Sequence, residues 1–184
     1  MVELIVVMVV MGIIGVVAIE RFFDTATIEA REYADQAKTV IRYAQKLAIA
    51  QNRTIYVSAT ASRFAACTTA ACGTAAALVN TPAGNNSGST VTKAACVLAG
   101  NYVATWMCEG KPGSVTLSAP ASRSTEAGGA SSFFSFDSMG RPYNAADTVP
   151  PNGYSSSFGQ LVLTFSGSGV SYTVTIEPET GYVH

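Results

Sequence analysis

Two periodicities of apolar and polar positions divide the chain. Residues 4–19, LIVVMVVMGIIGVVAI, are apolar on every side and carry no charge. At 1.5 Å per helical residue they span roughly 24 Å, slightly short of the roughly 30 Å hydrocarbon layer of a membrane, and residues 1–3 nearly close the gap. After them Tyr33, Ala37, Val40, Ala44 and Leu47 recur at alternating intervals of four and three, the stripe of an amphipathic helix. Asp35, Lys38, Arg42 and Lys46 fall on other faces, and acids lead bases along the segment as the helix dipole favours. The pattern predicts one helix from near residue 1 to about residue 52, its second half buried against a domain.

Beyond residue 52 the period becomes two. TIYVSA, YVATWMC, SVTLSA, FFSFDS, QLVLTFS and VSYTVTIEP are short β-branched or aromatic runs separated by Gly, Pro, Asn and Ser. The last is the clearest: Val170, Tyr172, Val174 and Ile176 alternate with Ser171, Thr173 and Thr175, so one face should meet the core, and EPETG then supplies a turn. NTPAGNNSGST, STEAGGASS and NAADTVPPNGYSSS have no periodicity and read as exposed, mobile loops. The fold class expected is α+β: a long N-terminal helix, membrane-spanning in its first half, packed through its second half on an antiparallel sheet. The division expected is 1–25 for the membrane segment and 26–184 for the globular part.

Composition changes this picture in two places. Eleven basic and twelve acidic side chains nearly cancel, and the basic ones beyond residue 53 (Arg63, Lys93, Lys111, Arg123 and Arg141), set against six acids, are scattered, so nucleic acid is not an expected partner. The mean hydropathy of +0.28 owes much to the N-terminus. Cys67, Cys72, Cys96 and Cys108 all follow the apolar segment, in a stretch rich in Ala, Thr, Ser and Gly like exported protein, and their even number suggests two disulfides. Sequence alone leaves the connectivity open, and near pairing, Cys67 with Cys72 and Cys96 with Cys108, needs the least loop closure. No small-residue cleavage pattern follows the apolar run, so it reads as retained.

Candidate chemistry is sparse. The one histidine is His184, so a Ser-His-Asp or Cys-His site would depend on a chain end for its base, and no catalytic residue, cofactor or metal is expected. A C-x4-C pair and a pair with eleven residues between its members lack the spacing of a zinc site. Asp137 and Asn144 could ligate calcium but lack the alternating oxygens of a dedicated loop, and a tight turn at Gly140 is the plainer reading. Asn52 and Asn85 head N-x-S/T tripeptides that matter only in a glycosylating pathway. Gly12 and Gly15 permit close helix approach, as glycine often does in membrane helices.

Glu3 is the feature that demands a partner. A carboxylate in a bilayer-spanning helix costs about 2.5–3.5 kcal/mol on insertion scales unless something pairs with it. VELIVVMVVMGIIGVVAIERFF, followed by an amphipathic helix and a β domain, resembles the type IV pilin and type II secretion pseudopilin superfamily. YAQKLAIAQNRTIYV, the turn FDSMGRPYN and the ending TVTIEPETGYVH resemble the H-type pseudopilins and related minor pilins, those of the mannose-sensitive haemagglutinin pilus in particular.

The resemblance implies that Glu3 matches the family's glutamate, which pairs with the N-terminal amine of a neighbouring subunit in the filament. Processed members begin with an N-methylated Phe and a Thr, then a residue matching Met1, so this chain would start two residues and a leader inside the precursor. Where many members have a helix-breaking proline, this chain has Glu20. The implied partners are other pilin or pseudopilin subunits, the inner membrane before assembly with the domain in the periplasm, and a prepilin peptidase. Rival expectations are a major pilin or adhesin, a DNA-uptake minor pilin and a membrane-tethered envelope hydrolase.

Overall fold

The computed structural model describes residues 2–22 and 25–184 and, within the first helix, the side chains of residues 2–15. Two helices open the chain, α1 (Val2–Phe22) and α2 (Thr25–Gln51). The single helix expected over residues 1–52 is therefore described in two pieces, and Phe23 and Asp24 between them lie outside the described residues. Every described side chain of α1 is exposed.

In α2 the expected stripe is buried at Tyr33, Ala37, Val40 and Ala44, is partly exposed at Leu47, and is widened by Ala30, Ala34, Ile41 and Ala48. Five alanines in that stripe let the helix lie close to the sheet. At Gly167 the approach is closest: a Cβ there would stand 2.2 Å from the Ala26 carbonyl oxygen. Tyr33 fills the opposite need for volume, its ring 5.9 Å from Phe64 and 5.6 Å from Phe165.

The strands are β1 (Ile55–Ala59), β2 (Arg63–Cys67), β3 (Val97–Leu98), β4 (Asn101–Tyr102), β5 (Cys108–Gly110), β6 (Thr116–Ser118), β7 (Phe133–Phe136), β8 (Pro142–Tyr143), β9 (Leu161–Gly167) and β10 (Val170–Ile176), with a short helix α3 (Thr90–Ala95) before β3. They form an antiparallel sheet in the order β5-β2-β1-β7-β8, a second in the order β10-β9-β6, and the hairpin β3-β4. Helix α2 covers both larger sheets. Strand β9 supplies the core through Leu161, Leu163 and Phe165, alternating with half-exposed residues as a sheet with one wet face requires.

Several sequence expectations are corrected. YVATWMC is no single strand: β4 ends at Tyr102, a turn follows, and β5 starts at Cys108, with Trp106 fully buried between them. On β10 only Val174 and Ile176 are buried, and Val170 is 42% exposed. The loop of residues 80–90 is ordered by Asn86, whose amide donates to the Val103 and Trp106 carbonyls (3.2 and 3.3 Å) and whose Oδ1 accepts from Gly88 N–H and Tyr102 hydroxyl. Residues 124–132 are likewise pinned, since Ser132 hydroxyl donates to the Ser124 carbonyl (2.6 Å) and accepts from Gly129 N–H (2.8 Å).

Candidate assembly surface

The surface in question is built by α1. Its side chains from Val2 to Gly15 are apolar except Glu3, and the large ones, from Val2 (75% exposed) through Met8 and Met11 to Ile14, lie open. Burying a Val, Leu or Ile side chain is worth about 1.5–3 kcal/mol, so this surface is unstable bare in water and calls for lipid or protein around it. Added Cβ atoms at Gly12 and Gly15 would meet nothing within 4 Å, which leaves a partner room at both positions. Glu3 lies in the first turn, where unpaired backbone N–H groups favour an anion, and it is exposed. Among the described residues no helix is long and apolar enough to cross a membrane. The spanning reading of residues 1–25 draws in part on Met1 and the side chains of residues 16–24, which lie outside the described residues.

The four cysteines stand apart from that surface. Cys67 is bonded to Cys72 and Cys96 to Cys108, with Cα separations of 5.5 and 5.9 Å, within the range such bonds require. Both bonds close a small second core with Ala65 and Trp106 on the far side of β2 from α2. Trp106 donates its indole N–H to the Ala66 carbonyl (3.0 Å), and the Arg63 guanidinium lies 4.7 Å above its ring while donating to the Ala95 carbonyl (2.7 Å). Burial pulls the Arg63 pKa downward, and the stacked ring and carbonyl are what compensate. These bonds brace the domain, and none of their sulfurs is free to react.

The residues weighed for metal or catalysis are placed in structural roles. Asp137 Oδ1 accepts from Met139 N–H (2.8 Å) and Arg141 N–H (2.9 Å), and Gly140 takes the left-handed φ of +80° that this turn needs. Asn144 instead donates to Ser157 (2.7 Å). Among the described residues no group of three or more His, Cys, Asp or Glu could hold a metal ion. His184 pairs with Glu177 at 3.0 Å, and this bond, with those from Gln160, holds the Glu177 carboxyl below the usual range. Gln45 donates to the Gly140 and Thr180 carbonyls (2.9 Å each) and Arg42 to that of Val183 (2.7 Å), so α2 ties down both the 137–141 turn and the chain end.

One polar cluster has no sequence signal at all. Glu109 accepts from Ser87 N–H (2.9 Å) and Thr92 hydroxyl (3.0 Å), and Thr92 in turn accepts from Gly110 N–H (3.1 Å). The cluster staples α3 to β5, so tightly that a Cβ at Gly110 would stand 2.4 Å from the Val91 carbonyl oxygen. Beside it a cleft of about 270 Å³ brings Glu29, Glu32, Tyr33 and Gln36 of α2 opposite Ser89 and Val91. Among the described residues the buried Tyr33 hydroxyl has no hydrogen-bond partner, and burial, with the nearby Glu109 charge, pushes its pKa up.

No family model and no curated protein matches the chain. Two solved structures resemble it, both crystal forms of the Pseudomonas aeruginosa (strain PAO1) type IV minor pilin FimU. One has a TM-score of 0.46 at 14% identity, covering 87% of this chain and 90% of that one. The other has a TM-score of 0.44 at 14% identity, covering 84% and 90%. The likeness is distant.

Proposed function

We propose that the chain is a non-enzymatic filament subunit of the type IV pilin and type II secretion pseudopilin superfamily, a minor pilin or pseudopilin that works by assembly. The observation that carries this is α1: a helix whose described side chains are all exposed and all apolar but one, standing next in sequence to a helix whose apolar stripe is buried. Such a helix needs surroundings that the domain does not provide. Before assembly they are the inner membrane, with the domain in the periplasm; afterwards they are the equivalent helices of neighbouring subunits. Glu3 supplies direction. Costly alone in lipid, it becomes favourable beside the ammonium of a neighbour's processed N-terminus, so each subunit is drawn to dock on the last. A prepilin peptidase generates that amine.

Glu3→Ala tests this reading. The expected variant keeps a folded domain and its place in the membrane fraction but is missing from sheared filaments. Filaments holding the variant in normal amount would overturn the proposal.

A further inference from the structure

The outer edge of β10 is covered along half its length. Thr175 and His184 exchange two main-chain bonds (2.9 and 3.0 Å), and Glu177 N–H donates to the Tyr182 carbonyl (2.9 Å), so the last residues lie antiparallel along the edge away from β9. Main-chain groups along a strand point to the same side at every second residue. Those of Thr173 and Ser171 therefore point the way Thr175 does, and among the described residues they have no main-chain partner. Val170, Ser171 and Thr173 are exposed. The stretch VSYTV has none of the charges or prolines by which proteins ordinarily block an open edge.

We infer that a second copy of this chain pairs on this edge, antiparallel, about a two-fold axis through Tyr172. The register follows from the strand itself. The axis sets Ser171 opposite Thr173 of the second copy and Thr173 opposite its Ser171, and in both pairs the main-chain groups point across the gap and exchange two bonds. Tyr172 then faces its own copy in the non-bonded position, and Val170 faces Val174.

The ends fit as well. At one end the chain turns back toward β9 through Ser168 and Gly169, at φ +47° and +81°. At the other, His184 holds the edge opposite Thr175. One copy's turn leaves where the other copy's tail begins. Sliding by two residues one way would set Ser171 against Thr175, which His184 already occupies. Sliding the other way would set Thr173 against Gly169, inside the turn. The contact places no charge against a like charge, is isologous as a two-fold requires, and joins the two three-stranded sheets into one. It does not depend on the filament reading, because α1 takes no part in it.

The test uses the full chain in detergent, with mass measured by light scattering across concentration and folding checked by circular dichroism. The double variant Ser171→Lys with Thr173→Lys sets like charges opposite each other across the axis on the solvent face, and it should weaken the dimer about tenfold. Ser171→Lys with Thr173→Glu sets opposite charges there and should restore the dimer, whereas Glu3→Ala should leave it unchanged. A wild-type chain that stays monomeric, a double-lysine variant as dimeric as wild type, or a Lys/Glu pair that fails to rescue would each overturn the inference.

Discussion

Helices α1 and α2 are neighbours in sequence and opposites in use. Both carry aliphatic residues, yet in α1 every described side chain is exposed, whereas α2 buries eight residues beneath a mostly polar outer face. The difference lies in the size of the side chains. Apart from Glu3, Gly12 and Gly15, the described α1 surface is Val, Leu, Ile and Met, which suits fluid lipid or other such helices but offers a sheet no single face to seat on. The buried stripe of α2 is largely alanine with one tyrosine, shaped to one site: close contact over Gly167 and a single large ring between Phe64 and Phe165. The exposed helix is apolar on every described face but for Glu3, and the buried one is shaped to its site.

The sharpest way to break that contrast is to put a charge on each helix in turn. Ala37→Asp places an unpaired carboxylate at a fully buried position and should cost about 3–5 kcal/mol, enough to unfold the domain or take most of its stability. Val9→Asp on exposed α1 should leave the domain's thermal melt where it was. Equal shifts in the two melts, followed by circular dichroism in detergent, would show that α1 is part of the domain core after all.

A smaller effect is expected where α2 meets β9. In Gly167→Ala the new methyl meets two groups on one face of α2, the Ala26 carbonyl and, 3.2 Å away, the Ala30 methyl, and neither can yield by rotating a side chain. Overpacking of this kind costs about 1–3 kcal/mol. The first turn of α2 should loosen before the rest, which amide exchange at residues 26–30 would report as faster than at Val40 and Ile41. Unchanged exchange and melting would mean that the helix is not held down there.

How much of this could be read from the sequence depends on how many faces an element buries. The α2 stripe and β9 each bury one face, so period four-three and period two stood out. Strand β2, RFAAC, was missed for the opposite reason: Phe64 and Ala66 belong to the main core while Ala65 and Cys67 belong to the disulfide core, so both faces are apolar and no alternation remains. Strand β8 was hidden by its proline, and YVATWMC was overread because Trp106 is buried from a turn. Glu3 is conspicuous in the sequence as a lone acid in an apolar run, and its pairing belongs to the proposal. Glu109 was not legible, since its partners, Ser87 in a loop and Thr92 in α3, lie 22 and 17 residues away in a stretch where Ser and Thr are common. The buried, unpaired hydroxyl of Tyr33 could not be inferred from a stripe that demanded only an apolar residue.

That hydroxyl gives the finest test of how closely α2 is fitted. A buried polar group without a partner costs about 1–3 kcal/mol, and removing it recovers part of that when the apolar remainder keeps its shape. Tyr33→Phe keeps the ring against Phe64 and Phe165 and deletes only the unpartnered oxygen, leaving a gap smaller than a methyl group at the cleft bounded by Glu29 and Gln36. The two terms oppose each other: lost contacts at the ring edge against relief of an unsatisfied donor. The second is the larger, so the variant should melt slightly higher, by about 0.5–1 kcal/mol in stability. A variant destabilised by more than about 1 kcal/mol would mean that the hydroxyl has a bound partner in the working protein, at the cleft where α2 meets α3, and that this stretch of α2 is shaped for a ligand as well as for the sheet.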